Sequence, residues 1–194
     1  ISSNNLGERE RTLMNLFIEH RFYLLDKLID ITQGLAANYY SDFKWNAFPG
    51  IDLGLNLSPN FKLYSNLGFT YRVPTFTDLY YTDRTTTGNA DLLPEEAFSK
   101  EVGMRLTQPS YSLSVAYFDR SSSNLIDYVK KTDTALWKAE NIQRLDTQGI
   151  DFEFSTNFEF KAIKHRLKIG YSYLENSLRD ITFDFSKYVI NNAL

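Results

Sequence analysis

Residues 71–101 read YRVPTFTDLYYTDRTTTGNADLLPEEAFSKE, a stretch in which two prolines separate two alternating patterns. An alternating strand pattern ends at Arg72, and Pro74 follows it. Proline has no N–H to donate to a ladder of hydrogen bonds, so the strand cannot continue through it. Pro94 makes a second break before a new alternating pattern begins. We therefore predict a long loop over residues 73–96 between two adjacent strands.

The composition limits the classes of protein to be considered. The chain has 194 residues, enough for one domain with a sizeable core. It has no Cys, which excludes disulfides and thiolate metal sites. Its net charge is -3 with scattered Lys and Arg, which argues against a nucleic-acid surface. No run of 18 apolar residues predicts a transmembrane helix, and no signal peptide is recognised. Because the first residue is not Met and the last residues resemble the middle of a strand, we expect a fragment of a longer chain.

Period-two alternation runs through most of the sequence and predicts β-strands. Ile150, Phe152 and Phe154, for example, alternate with Asp151 and Glu153. A helix over residues 13–31 is the main competing interpretation, but the alternation that follows makes it less favourable. The nine predicted strands lie near residues 12–24, 29–39, 51–57, 61–72, 97–107, 111–117, 150–160, 167–173 and from about 183 onward. We also predict a bulge at 118–123, a strand extension at 125–130 and loops at 131–140 and 175–180.

The connections between these strands alternate between short turns and longer loops. Outer-membrane β-barrels have short turns on one side, longer loops on the other and strands that are apolar outward and polar inward. Strands of about ten residues match the bilayer when tilted. The fold class is therefore predicted as all-β, an antiparallel up-and-down transmembrane β-barrel.

A soluble β-sandwich is the alternative, because alternation also suits an antiparallel sheet with one face in water. Two features favour the barrel. The predicted strands are longer than the usual five or six residues, and the loop lengths sort by side. The polar face, rich in Lys, Asn, Asp, Arg and Glu, is also unsuited to a sandwich core.

Five motifs resemble the TonB-dependent receptors of the bacterial outer membrane. Their order and spacing agree with that family over about residues 71–153, although Ala90 stands where the family often has Pro and Asp151 where it often has Glu. The motifs are RVPTFTDLY at 72–80, GNADLLPE at 88–95, EVG at 101–103, YF at 117–118 with NLI at 124–126, and QGIDFE at 148–153 preceded by Asn141.

The resemblance implies a 22-stranded barrel with an N-terminal plug, of which about nine strands and no plug fall in residues 1–194. It implies a receptor in the bacterial outer membrane that takes up a ferric siderophore, haem, cobalamin or glycan. The energy would come from the TonB complex through the absent plug. The expected partners are outer-membrane lipid, TonB and a small-molecule or metal-chelate ligand, with no nucleic acid, no cofactor and no enzymatic activity.

The candidate wall residues are Arg72, Glu101 and Arg105, which would face the lumen with Lys62, Asn66 and Thr70. We predict that Arg72 pairs with Glu101 or with a plug carboxylate and so fixes the base of the loop. A solvated wall charge is the alternative, since polar lumen faces are expected in such barrels.

The candidate ligand contacts are Tyr80, Tyr81, Arg84 and Trp137 in the predicted extracellular loops. Tyr and Trp give rigid contact area at low entropic cost, and Arg can pair with an anionic group. Packing within the loop, or anchoring at the membrane interface, is the alternative for the aromatic residues.

The sequence gives little support for a catalytic site or a metal site. His20 and His165 lie far apart, and nothing brings a Ser-His-Asp site together. Asp83 and Asp91 could offer oxygen ligands to Ca²⁺, but EF-hand spacing is absent and solvated loop charges explain them equally. No phosphate-binding Gly loop is present. Three function classes therefore remain: an active transporter, a passive porin-like barrel and a soluble β-sandwich binding module. An outer-membrane hydrolase is the least favoured alternative, because it lacks a credible catalytic group.

Overall fold

The computed structural model describes residues 2–179 and 185–187. Its elements, in chain order, are β1 Ser2–Ser3, β2 Gly7–Glu8, β3 Leu13–Leu24, β4 Ile29–Tyr40, β5 Lys44–Ser58, β6 Phe61–Arg72, α1 Phe76–Tyr80, β7 Thr86–Thr87, β8 Glu95–Thr107, β9 Tyr111–Lys130, β10 Trp137–Phe160, β11 Ile163–Arg179 and β12 Phe185–Ser186. Within the described residues, no helix is long and apolar enough to cross a membrane.

The eight long strands form one antiparallel sheet in the order β11-β10-β9-β8-β6-β5-β4-β3. Each long strand is therefore paired with the next long strand along the chain, while the short strands β7 and β12 lie off this path and pair with β10 and β9. This is the up-and-down order that the alternation predicted. β3 and β11 form the two edges of the open sheet, which is the form expected of a section of a barrel wall.

Short turns collect at one end of the sheet. They are 25–28, 59–60, 108–110 and 161–162, and the first and last contain left-handed residues with φ between 50° and 71°. The opposite end carries the connections 41–43, 73–94 and 131–136. We refer to the two ends as the turn end and the loop end. This sorting of connection lengths agrees with the predicted barrel.

The two faces of the sheet differ in chemistry, as the alternation predicted. Residues paired directly across antiparallel strands share a face. One such row contains Asp30, Gly54, Tyr64, Gly103, Ala116 and Asp151, and the next row contains Ile31, Leu53, Ser65, Val102, Tyr117 and Ile150. The polar-face residue Asp30 is buried whereas Val102 is 56% exposed, so the sheet curls around its polar face.

An ion pair within the polar face shows why small residues occur there. The Lys62 ammonium lies 2.8 Å from the nearer Asp30 carboxylate oxygen, and the Asn56 amide donates to the same oxygen over 2.9 Å. These groups meet above Gly54, where a Cβ would overlap both the Asp30 carboxylate and the Lys62 side chain. Glycine at this position therefore allows the pair to form across the one intervening strand, β5.

Several predicted boundaries were wrong. β5 begins at Lys44 rather than near Ile51, and β10 begins at Trp137, inside the predicted loop 131–140. β11 continues to Arg179 through most of the predicted loop 175–180. The strand extension at 125–130 is confirmed. Most of the strand predicted from about 183 lies outside the described residues. Its described part, residues 185–186, pairs with the end of β9.

The bulge predicted at residues 118–123 is absent, because the register between β9 and both neighbours is constant there. The disturbed pattern has another cause. Asp119 and Ser121 lie on the same face as Tyr117, with Lys100 and Asp146 as their partners. Apolar side chains on that face give way to polar ones toward the loop end, so the hydropathy contrast between the faces disappears while the ladder continues.

If the apolar face meets lipid, an arginine placed there should destabilise the folded receptor. We expect Ile169→Arg, on the apolar face midway along β11, to lower the free energy of unfolding by about 2–4 kcal/mol. Ser172→Arg, on the polar face of the same strand, should change it by less than about 1 kcal/mol. Denaturant unfolding of the full-length receptor in phospholipid would measure both values. Equal losses for the two variants would contradict the assignment of the faces.

Candidate functional site

The long connection between β6 and β8 is a folded structure rather than a flexible loop. Its first part contains the helix α1, which is closed by a capping box. The Thr75 hydroxyl oxygen accepts from the Asp78 amide at 3.1 Å, and the Asp78 carboxylate accepts from the Thr75 amide at 2.9 Å. This reciprocal pair satisfies two amides that a short helix would leave unpaired.

Gly88 permits a close approach within this loop. A Cβ at Gly88 would lie 2.8 Å from the backbone carbon of Leu79 and from the amide nitrogen of Tyr80. The neighbouring Asn89 amide donates to the Asp78 carbonyl at 2.9 Å. The second half of the loop therefore lies directly against α1, and any side chain at Gly88 would force the two segments apart.

The end of the loop joins the main sheet through β7. Thr86 and Thr87 pair in parallel with Trp137 and Lys138 at the start of β10. The Trp137 amide donates to the Thr85 carbonyl at 2.8 Å. Backbone hydrogen bonds thus tie the loop to the part of the β9–β10 hairpin that extends beyond its neighbours.

A small apolar core lies between the loop and the β9–β10 extension. Its buried members are Leu79, Leu92, Ile126, Tyr128 and Ala139, and Phe43, Tyr80 and Trp137 pack against it. Two of the four candidate ligand contacts, Tyr80 and Trp137, therefore contribute to loop packing, the alternative considered for them from the sequence. Both side chains keep part of their surface accessible.

Arg72 fixes the base of the loop, but the predicted partner Glu101 is wrong. Its guanidinium Nη2 lies 2.5 Å from Oε1 of Glu95, and Nη1 lies 3.5 Å from Oδ2 of Asp78. The register pairs Arg72 with Glu95, whereas Glu101 lies about 20 Å further along β8. There Glu101 accepts a hydrogen bond from the Asn66 amide at 3.3 Å.

Glu95 connects this base to the next hairpin. Its Oε1 also accepts from the Ile126 amide at 2.8 Å, so one carboxylate joins the end of β6 to the extension of β9. The third candidate wall residue, Arg105, lies on the polar face with its guanidinium carbon 5.5 Å from the centre of the Tyr64 ring. Arg105 is thus separated from the loop base.

Asn141 is a loop contact that the sequence reasoning missed. Its carbonyl oxygen accepts from the Leu93 amide at 2.9 Å, and its amide donates to the Leu93 carbonyl at 2.9 Å and the Asn124 carbonyl at 2.7 Å. The side chain thus reproduces a strand-like pair with the loop just before β8. Its position among the family-like motifs was the available signal, but the contact itself depends on the β10 register.

Asp83 organises the exposed tip of the loop. One carboxylate oxygen accepts from the Thr85 and Thr86 amides, each at 2.7 Å, and the other accepts from the Tyr81 hydroxyl at 2.9 Å. These donors, led by the Thr85 amide, lower the pKa of Asp83 to about 2. Arg84, which lies between Asp83 and Thr85 in the sequence, is exposed.

The candidate ligand contacts are thus divided between the tip and the packed part of the loop. Tyr81 and Arg84 belong to the tip, and the amide of Trp137 reaches the same turn through Thr85. Tyr80 is covered on one side by Arg9, whose guanidinium carbon lies 3.8 Å from the ring centre. Trp137 has the ammonium groups of Lys130 and Lys187 at 4.8 and 5.1 Å from its ring.

The chain before β3 also reaches the loop. Arg11 Nη2 lies 2.7 Å from the Asp42 carboxylate, and its guanidinium carbon lies 4.8 Å from the centre of the Phe76 ring. Together with Arg9, this residue thus contacts the aromatic side chains of α1, Phe76 and Tyr80. No pattern in the sequence of residues 1–11 predicts this contact.

The described residues contain no cluster of three His, Cys, Asp or Glu side chains that could hold a metal ion. Of the two aspartates considered for Ca²⁺, Asp83 has a local role for its carboxylate, whereas the bond of Asp91 is made by its backbone amide. Asp83 accepts the hydrogen bonds of the loop tip, and the Asp91 amide donates to the Asn89 side chain at 3.0 Å.

Removing the Asn141 side chain should loosen the loop without unfolding the sheet. Asn141→Ala loses three hydrogen bonds, which together correspond to about 2 kcal/mol and roughly a thirtyfold rise in the opening constant of the loop. Limited proteolysis of the full-length receptor should then cleave within residues 73–94 much faster. The control Asn157→Ala removes an exposed contact with Arg166 near the turn end and should leave cleavage unchanged. Equal cleavage rates in wild type and Asn141→Ala would contradict this role.

The hydrogen bonds of the Asp83 carboxylate should persist to a lower pH than the usual pKa of an aspartate would allow. A lowered folded-state pKa means that the Asp83 contribution is fully present above the unfolded value of about 3.9 and is lost as the pH falls through about 2. We expect the carboxyl NMR signal of Asp83 to titrate near pH 2, and the Thr85 and Thr86 amide shifts to follow it. Asp83→Asn should abolish that amide titration. A midpoint near pH 4 would show that these hydrogen bonds do not form.

Known proteins with similar sequences are receptors and transporters. The vitamin B12 transporter BtuB of Vibrio vulnificus is 30% identical over 118 residues, covering 60% of this chain and 18% of that protein. The ferrienterobactin receptor of Escherichia coli is 23% identical over 163 residues, covering 72% of this chain and 21% of that protein. The chain thus spans about a fifth of the length of these relatives.

Solved structures show the same fold. The siderophore receptor PirA of Pseudomonas aeruginosa superposes with a TM-score of 0.71 at 18% identity, over 87% of this chain and 35% of that one. The sequence profile described as "TonB dependent receptor-like, beta-barrel" matches residues 2–193. This match covers nearly the whole chain and agrees with the sheet topology and with the motifs on either side of the long loop. The chain therefore belongs to the β-barrel domain of the TonB-dependent receptor family.

Proposed function

We propose that this chain is part of the wall of an outer-membrane receptor that imports a scarce ligand with energy supplied by the TonB complex. The ligand class is a ferric siderophore, haem, cobalamin or a glycan. The observation that carries the proposal is the folded loop 73–94 at the loop end of a barrel wall that belongs to this family. Receptors for vitamin B12 and for ferric enterobactin among its relatives support a small-molecule or chelate ligand.

The construction of the loop suits a preorganised binding surface. The capping box, the Asn141 contacts and the Arg72–Glu95 pair hold its backbone before any ligand arrives. A loop that is already ordered loses less conformational entropy when it binds. The tip residues, half-buried Tyr81 and exposed Arg84, are carried on this fixed support, which suits them to the proposed contact with a ligand.

A passive porin-like barrel is the second candidate. Its strands would show the same alternation and the same sorting of loops, but its transport would need no energy source. A soluble β-sandwich would need a second sheet against the apolar face. Within the described part of the chain, no second sheet covers that face, and its side chains are exposed or half-buried, with Ile18 at 72% and Tyr171 at 63% among the exposed ones.

Energy dependence separates the transporter from the porin. The full-length receptor would be expressed in a bacterial strain that lacks its own copy, with the TonB complex intact or deleted. Uptake of labelled cobalamin and of several ferric siderophores would then be measured. We expect accumulation of at least one ligand that requires both the receptor and TonB. Uptake that persists equally without TonB would contradict the proposal and favour the porin.

Tyr81 and Arg84 should contribute to ligand affinity. Once a ligand is identified, we expect Tyr81→Ala combined with Arg84→Ala to weaken its binding to the full-length receptor by about tenfold or more, corresponding to about 1.4 kcal/mol. Tyr80→Ala with Tyr81→Ala should also weaken binding, but part of that loss would come from the packing of Tyr80 on the loop core. Lys161→Ala, at the turn end, is the control. Unchanged affinity in the Tyr81/Arg84 variant would exclude the loop tip as a ligand contact.

A further inference from the structure

The pairing between β5 and β6 stops before either strand ends. Gly50 and Gly68 are the last partners in their register. Beyond them, β5 continues beside β4 as far as Lys44, and β6 continues beside β8 as far as Arg72. Pro49 stands where the pairing stops, and proline has no N–H to donate to a neighbouring strand. At the loop end, the sheet is therefore divided into a first leaf of β3, β4 and β5 and a second leaf of β6, β8, β9, β10 and β11.

Toward the turn end, the two leaves are joined by backbone pairing. From Gly50 and Gly68 to the turn 59–60, the strands β5 and β6 lie in one register with a single shift near its end. The ion pair between Lys62 and Asp30 also crosses β5 in this region. Any separation of the leaves is therefore confined to the loop end.

Side chains connect the two leaves where the β5–β6 pairing is missing. The Phe48 ring of β5 stacks on the Tyr71 ring of β6, with 5.0 Å between their centres. Asn46 is a hydrogen-bond partner of the Tyr71 side chain, and Phe43 packs against the core of the long loop. Residues of both leaves also line an open cavity there, among them Ala47, Pro49, Phe69 and Thr70.

Residues 9–11, which we call the clasp, are anchored to the first leaf. The Arg11 guanidinium Nη2 lies 2.7 Å from the Asp42 carboxylate, in the connection between β4 and β5. Next to it, the Ser41 amide donates to the Thr12 carbonyl at 3.1 Å. A charge pair and a backbone hydrogen bond thus fix the clasp to this leaf.

The contacts of the clasp with the second leaf are of a different kind. The Arg9 guanidinium carbon lies 3.8 Å from the centre of the Tyr80 ring, and that of Arg11 lies 4.8 Å from the centre of the Phe76 ring. Both rings belong to α1, in the long loop that packs on β9 and β10. Cation–π contacts near the protein surface are individually weak, so this side of the clasp can release while its anchor holds.

We propose that the two leaves separate reversibly at the loop end and that the clasp regulates this opening. On the loop-end side of Gly50, no β5–β6 pairing is present within the described residues, so separation breaks side-chain contacts and leaves the ladders of each leaf intact. In the closed form, Arg9 covers one face of the Tyr80 ring. Opening uncovers that face, and only its use by a ligand rests on the proposed function.

Distances between the leaves, measured without ligand, test the proposal. Spin labels would be attached at Lys44→Cys in the first leaf and Thr134→Cys in the second, in a full-length receptor with no other cysteine. Pulsed electron paramagnetic resonance in phospholipid should show a major short distance and a minor longer one. Arg9→Ala combined with Arg11→Ala should raise the ratio of long to short about tenfold, since two contacts worth about a factor of three each are lost.

Labels near the turn end provide the control. Leu57→Cys on β5 and Lys164→Cys on β11 are both exposed and lie where the leaves are paired, so their distance should be the same in both receptors. Arg166→Ala, which removes an exposed arginine near that end, should change neither distance. One unchanged distance between residues 44 and 134 in the Arg9/Arg11 variant would overturn the proposal. An equal change at the turn end would also overturn it, because the loosening would then not follow the division between the leaves.

The uptake experiment keeps this inference distinct from the proposed function. A clasp variant that opens in a receptor that takes up neither cobalamin nor ferric siderophores would support the opening and contradict the transport proposal. TonB-dependent uptake by a receptor that shows the short distance alone, with and without the clasp arginines, would contradict the opening and leave the transport proposal intact.

Discussion

The continuous ladder of hydrogen bonds between antiparallel strands is the constraint on which the rest of this structure depends. In hydrocarbon, every backbone N–H and C=O must find a partner within the protein, and a closed series of paired strands is one of the two ways to achieve this. The constant register from β8 through β10 shows the ladder continuing past the apolar band. Because that register fixes which residues face each other, it also determines the two faces and the position of each ion pair.

The same ladder supports the candidate binding region. β9 and β10 extend beyond β8, and their extra residues form a platform on which the loop 73–94 packs. The loop is held by backbone pairing at β7, by side-chain contacts from Asn141 and by the charges of Arg72, Glu95 and Asp78. A rigid support of this kind separates two tasks: the buried aromatic residues stabilise the loop, and the residues of its tip remain accessible.

The sequence predicted the architecture well because period-two alternation survives wherever one face is apolar. Pro74 and Pro94 also bracketed the long loop closely. The prediction from the sequence failed at the start of β10. Both faces of the strand are polar or mixed there, so the alternation disappears although the hydrogen bonds continue. The partner of Arg72 could not be chosen from the sequence either, since Glu95 and Glu101 differ only in register. The close packing of Gly88 on α1 depends on a tertiary contact that no local pattern records.

In a membrane-spanning wall, one face of this sheet meets lipid while the other faces an aqueous lumen. Spin labels at consecutive positions of β10 in the full-length receptor, reconstituted in phospholipid, would test it most directly. We expect labels at 150, 152 and 154 to be relaxed by oxygen dissolved in lipid, and labels at 151, 153 and 155 to be relaxed by a water-soluble nickel complex. Equal access of the nickel complex to both sets would contradict a membrane-spanning wall.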